Sequence, residues 1–218
     1  MALESSDDSM GDSRSPTVLA AIATDVCRSV VHDDIMGTVR PQPRTVARLL
    51  QELPTDKETR ALSVGCGRAE TEAALALASR GKWHWTLVDT QEAGEWNEDN
   101  ADNWGRTPHT YTTAPPRHQA DWKLQCRALG EGHQVLVFLW GVVAPWWEYA
   151  AGFKGSHIVI AGDDTCKPWP LKGLDDGDED HDTQIDSLLS RWTLSASFDG
   201  ANPEHPGEKY FIYVPRRK

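Results

Sequence analysis

The sequence predicts an α/β fold: a doubly wound, mostly parallel, seven-stranded sheet with a C-terminal antiparallel strand pair, preceded by N-terminal helices. Three observations predict it. The apolar run Ala61-Leu62-Ser63-Val64 stops in the turn Gly65-Cys66-Gly67 and opens into an alanine-rich helix. Strand and helix signals then alternate along the chain, as a sheet covered on both faces requires. Finally, the last two apolar segments follow each other with no helix between them, so they pair antiparallel.

Residues 1–15 carry Ser5, Ser6, Asp7, Asp8, Ser9 and Ser13 and read as a disordered acidic tail. Residues 16–57 hold two helices. Pro16 introduces the first, from Thr17 to about Asp33, with Val18, Ile22, Val26 and Val30 recurring every four residues on one face. The second runs from near Pro43 to Leu53 and carries Val46, Leu49, Leu50 and Leu53. Residues 58–218 are expected to form the α/β domain itself. After the glycine turn, Trp83 to Val88 forms a second strand ending in Asp89. Residues 91–104 suggest a short helix buried on the stripe of Trp96 and Trp104. His109 to Thr113 is a third strand, closed off by Pro115-Pro116. Asp121 is placed to cap a helix running to about Leu129, with Trp122, Leu124 or Gln125, and Leu129 at helical intervals.

Val135 to Leu139, five consecutive large apolar residues, predicts a central strand covered on both faces. Pro145 opens a helix through Tyr149, and His157 to Ala161 is the fifth strand, ending at Gly162-Asp163-Asp164. An acidic loop and a helix of about Thr183 to Arg191 precede the closing strands Trp192–Phe198 and Lys209–Val214.

At 218 residues, one α/β domain buries enough surface to fold without metal or disulfide. The four cysteines, 27, 66, 126 and 166, include no Cys-x-x-Cys pair, which argues against a zinc cluster and for a reducing compartment. No apolar run approaches the ~20 residues of a membrane span, and no basic-then-hydrophobic leader opens the chain; a cytoplasmic protein is expected. The formal charge of −11 is uneven, since the stretch from Gly173 to Asp186 holds seven acids and no lysine or arginine. That run reads as a solvated loop. Basic residues are scattered apart from Arg216-Arg217-Lys218, so a nucleic-acid substrate is disfavoured.

The glycine turn is where a ligand is expected. Two near-adjacent glycines let the backbone approach a bound molecule, and the following helix aims its free N–H groups at the same place. Asp89, twenty-two residues beyond Gly67, is expected to emerge beside the turn in a parallel sheet, able to accept hydrogen bonds from a ribose diol. A dinucleotide fingerprint needs Gly or Ala at the sixth position; Glu70 stands there, which disfavours NAD.

The segment resembles motif I of the class I (Rossmann-like) S-adenosylmethionine-dependent methyltransferase superfamily, in a strand, Gly-x-Gly turn and helix with an acid closing the next strand. Gly65, Gly67 and Asp89 match, and the order of elements extends the resemblance over about residues 58–215. Ser63 stands where an acid is frequent, and Ala69 where a third glycine is frequent. The resemblance implies S-adenosyl-L-methionine as cofactor, held by Gly65, Cys66, Gly67, Asp89 and Thr90. It implies methyl transfer to a small molecule or a protein side chain; the alternative is a catalytically inactive methyltransferase-like binding or scaffold subunit with a protein partner.

Methyl transfer from a sulfonium rests chiefly on in-line positioning, so no obligatory triad identifies the catalytic residues. The acceptor is expected at the carboxyl ends of the fourth and fifth strands, where Trp140, Trp146 and Trp147 are candidates for a flat or cation-binding wall. Asp163-Asp164 reads as a solvated turn rather than a metal ligand pair, and no metal is expected. His32, His118 and His157 each have a simpler structural explanation than a general base.

Overall fold

The computed structural model describes residues 15–30, 40–54, 57–90, 101–104, 107–139, 145–162, 186 and 190–217. Two helices come first, α1 (Pro16–Ser29) and α2 (Pro43–Glu52). Each begins with proline in its first turn, where the missing N–H has no intrahelical partner to lose. Ser15 caps α1, its side chain accepting from the Val18 N–H. The face that α1 buries is centred one residue on from the valine row: Leu19, Ala23 and Cys27 are buried together with Val30 of that row just past the helix, and Val18 is exposed. Adjacent four-residue rows are both apolar here, and Ile22 and Val26 lie at the border of the core. In α2, Val46, Leu49, Leu50 and the following Leu53 are buried as their spacing predicts.

Five strands run parallel: β1 (Thr59–Val64), β2 (Trp83–Asp89), β3 (His109–Thr113), β4 (Val135–Leu139) and β5 (His157–Gly162). The closing pair, β6 (Trp192–Asp199) and β7 (Lys209–Pro215), is antiparallel, and β7 adds antiparallel to β5. The sheet order is β3-β2-β1-β4-β5-β7-β6. All five residues of β4 are buried, as its unbroken apolar run requires of a central strand.

Two apolar cores lie on the two faces. Ala61, Val135, Val137, Val159 and Ile212 point into one, shared with α1, α2 and α3 (Glu70–Ala78). Leu62, Val64, Leu136, Phe138, Ile158 and Ile160 point into the other, with residues of α4 (Trp122–Gly130) and α5 (Trp146–Gly152). Alternate residues of one strand thus serve opposite layers. Both N-terminal helices contribute to the first core, packing on each other and on α3.

Helices α4 and α5 approach closely because each ends in glycine: a Cβ on Gly130 would overlap the Tyr149 carbonyl, and one on Gly152 the Arg127 carbonyl. In α4 the expected cap is corrected. Asp121 makes no side-chain cap; only its carbonyl is used, accepting from the Gln125 N–H at 3.0 Å. Of the expected stripe, Trp122 and Leu129 pack against the second core and Gln125 is half-buried, whereas its alternative Leu124 is 66 % exposed; the fully buried residues are Cys126 and Gly130. The close helix contact selects small residues for that face.

Of the helix expected over 91–104, residues 101–104 form a single 3-10 turn, which seats Trp104 in the core stacked on His109 at 4.4 Å between ring centres. The tail 1–14, His32, Trp140, the pair Asp163-Asp164 and most of the helix expected at 183–191 lie outside the described residues. No helix among the described residues is long and apolar enough to cross a membrane.

Candidate functional site

Strand β1 lies between β2 and β4, and from it the chain winds outward in both directions. An open α/β sheet forms its ligand crevice at the carboxyl ends of the strands flanking such a reversal. The glycine turn emerges there. Gly65 has φ 71° and Gly67 φ 51°, both left-handed, which explains why the sequence has glycine at these two places. The Gly65 N–H continues the ladder to the Val88 carbonyl at 2.8 Å. Cys66, between them, is 9 % exposed, and its thiol lies 3.6 Å from the Gly67 carbonyl.

Asp89 meets this turn as its position predicts. Its Oδ2 accepts the Gly67 N–H at 2.7 Å, and its Oδ1 accepts the Thr90 N–H at 2.7 Å. The backbone on either side is also tied down: the Ala114 N–H donates to the Asp89 carbonyl at 2.7 Å, and the Tyr111 hydroxyl donates to the Thr90 carbonyl. Each carboxylate oxygen has a second lone-pair direction. The carboxylate is thereby held in one orientation while retaining the capacity to accept from a diol. Gly65, Cys66, Gly67, Asp89 and Thr90 form one contiguous rim.

Ala69, immediately before α3, also sits left-handed at φ 52°. An L-residue there is strained by ~1–2 kcal/mol, more than the ~0.8 kcal/mol its buried methyl contributes. Ala69→Gly is therefore expected to raise stability by a few tenths to about 1 kcal/mol, read as a higher urea midpoint at unchanged slope. A lower midpoint would mean that methyl packing outweighs the strain.

Where the turn passes into α3 lie three buried charged residues, of which sequence reasoning singled out only Glu70. Arg68, Glu70 and Glu72 are 6, 3 and 2 % exposed. The Arg68 Nε lies 3.6 Å from Glu70 Oε1, and the Ser63 hydroxyl donates to Glu72 Oε1 at 2.6 Å. Burial pushes the Glu72 carboxyl up to about 7 despite the Ser63 bond, with Asp89 and Glu70 adding repulsion. A signal for Glu72 was present: a serine replaces the frequent acid of β1, and a glutamate follows at the third residue of the next helix.

A carboxyl whose proton is held more tightly in the folded state stabilises the fold below its unfolded value and loses that contribution as pH rises. Stability is expected to fall between pH 4.5 and about 7 from this group, and Glu72→Gln should flatten that slope. Urea titrations across this range check it; an unchanged slope in the variant would assign the pH dependence to other groups.

Trp146 and Trp147 open α5, and both belong to the second core, at 3 and 9 % exposure. Trp146 packs edge-on against Phe138 with ring centres 6.2 Å apart, and the two indoles meet at 6.3 Å. Most of their surface is thus committed to packing. His157 starts β5, at the end remote from the crevice, with its Nδ1 2.8 Å from the Ser156 hydroxyl. Among the described residues, no group of three or more His, Cys, Asp or Glu is arranged to hold a metal ion.

The fold recurs in solved structures. One is a precorrin-6y C5,15-methyltransferase from Geobacter metallireducens, 11 % identical, with a TM-score of 0.53 over 87 % of this chain and 95 % of that one. A second is cofactor-bound Rv0187 from MTB, 14 % identical, with a TM-score of 0.55 over 97 and 94 %. A third is an arsenic (III) S-adenosylmethionine methyltransferase from Chlamydomonas reinhardtii, 12 % identical, with a TM-score of 0.53 over 90 and 73 %. No protein-family model and no curated protein matches the sequence. The chain shares the Rossmann-like fold of class I methyltransferases.

Proposed function

We propose that this chain binds S-adenosyl-L-methionine in the crevice between β1 and β2 and transfers its methyl group to a small molecule or a protein side chain. The observation that carries the reading is the 2.7 Å bond from the Gly67 N–H to Asp89 Oδ2, which brings the two expected halves of a nucleoside site together. The donor set fits the ligand: an oriented carboxylate suits vicinal hydroxyls, and a turn of two left-handed glycines leaves backbone open to close approach. The fold shared with the arsenic (III) S-adenosylmethionine methyltransferase supports the same ligand.

Roles follow from position. Asp89 orients the ribose. Gly65, Cys66 and Gly67 supply the backbone rim, and Thr90, locked by Tyr111, holds the segment beyond the carboxylate. Bound S-adenosylmethionine supplies an already activated methyl group. The protein's task is then to align an acceptor from the ends of β4 and β5, where α5 starts with Trp146 and Trp147. Proteins and small molecules are the acceptor classes favoured, because the basic residues are scattered along the sequence apart from Arg216-Arg217-Lys218.

Calorimetry with S-adenosylmethionine, its demethylated product and NAD tests the reading. Saturable binding of the first two and none of NAD is the expected result. Tight NAD binding, or no binding by any of the three, would overturn it.

A further inference from the structure

The frequent motif I acid is missing at Ser63, yet a carboxylate stands there nonetheless, delivered from the next element. Ser63 faces the α3 side of the sheet, fully buried, two residues before Gly65. Its hydroxyl holds Glu72 Oε1 at 2.6 Å. The carboxyl group is thus held against the end of β1 that leads into the glycine turn, where the Asp89 carboxylate adds repulsion. On the assumption that the crevice holds an adenosyl sulfonium, we propose that Glu72 is a charge-matching residue: it takes up negative charge when a cationic ligand enters, so that binding of the sulfonium form releases its proton.

The charged surroundings make this a specific device. Around Glu72 stand Asp89 at the end of β2, Glu70 on its own helix, and Tyr210 on β7, which donates to the buried Glu208 at 2.8 Å. Arg68, on the turn, is placed against Glu70, with Nε 3.6 Å from Oε1. Without ligand, Glu72 therefore meets mostly acidic neighbours in a dry setting, and protonation relieves both burdens; burial holds its carboxyl near 7. A ligand with net positive charge reverses the balance. S-adenosylmethionine carries a sulfonium, an ammonium and a carboxylate, for a net charge of +1. Its demethylated product has a neutral thioether and no net charge. Loss of the methyl group would then let Glu72 recover its proton and weaken the hold on the product. The Ser63–Glu72 pair would thus discriminate donor from product by charge rather than by shape.

Calorimetry in buffers of different ionisation enthalpy reads the coupling directly. Near pH 6.5 the wild type is expected to release a substantial fraction of one proton on binding S-adenosylmethionine, and markedly less on binding the product. Its affinity for the donor should rise roughly tenfold from pH 6 to pH 8 and then level off. Glu72→Gln keeps an acceptor for Ser63 and is expected to fold; in it, proton release and the pH slope of donor affinity both vanish. A variant that retains both would overturn the proposal. So would wild-type binding of the donor with no proton release, which leaves the cofactor reading intact. Failure of the wild type to bind either adenosyl compound removes both readings together.

Discussion

Asp89→Ala is expected to weaken S-adenosylmethionine binding by at least ~100-fold, because two charge-assisted hydrogen bonds to a ribose contribute ~1.5–3 kcal/mol each. The truncation also frees the Gly67 and Thr90 N–H groups that the carboxylate now holds at 2.7 Å, so the turn loses its orienting partner. Both effects act in the same direction on the ligand. Titration calorimetry on the variant measures this; a dissociation constant within threefold of the wild type would mean that the carboxylate serves only the turn. Asp89→Asn separates the two roles. It preserves shape and one acceptor oxygen but turns an amide donor toward one of the two N–H groups, so an intermediate loss of about tenfold to 100-fold is expected. Gly67→Val is a less clean probe. At φ 51° a β-branched residue is strained, so stability falls along with binding.

Much of this site was legible because its parts are written in local chemistry. A turn that needs positive φ selects glycine, and Gly65 and Gly67 are the visible trace of that need. Asp89 could be placed because a strand of known start, running parallel to β1, must end beside it; the register Val64 to Val88 realises that alignment. The sheet followed from periodicity, since an unbroken apolar run such as Val135–Leu139 has only a two-sided burial as its explanation. What stayed hidden was set by contacts between segments distant in sequence. The choice of Leu19 over Val18 as the buried row of α1 depends on where the sheet lies, because both rows are apolar. Leu124 is exposed because α4 turns its small residues to α5, a preference visible only when both helices are present. Glu72 gives no local sign of its burial, because a glutamate in the first turn of a helix ordinarily faces solvent near the positive end of the helix dipole. Its burial follows from the packing of α3 in the first core, and its partner is a serine nine residues earlier on β1.

Glu148 is another buried acid whose surroundings dictate a large effect, and here the charge is balanced by cations. At 1 % exposure its Oε2 accepts from Arg127 Nε at 3.0 Å and Nη2 at 2.8 Å, while Lys123 Nζ lies 3.4 Å from Oε1. Both cations come from α4 and the acid from α5, so this cluster joins the helices at the side where Gly130 and Gly152 let them touch. Arg127 is 46 % exposed, which gives the two partners unequal consequences. Removing the arginine leaves a buried carboxylate with one lysine; Arg127→Met is expected to cost about 3 kcal/mol, the scale of breaking a buried pair from one side. Removing the acid leaves a cation that already reaches water, so Glu148→Gln should cost clearly less. The double variant Arg127→Met with Glu148→Gln is then expected to recover part of the loss, since no buried charge remains to be balanced. Urea unfolding of the three variants against wild type measures each step. A single loss for Arg127→Met below about 1 kcal/mol would place this cluster with solvent-screened surface pairs, and the join between α4 and α5 would rest on the glycine contact alone.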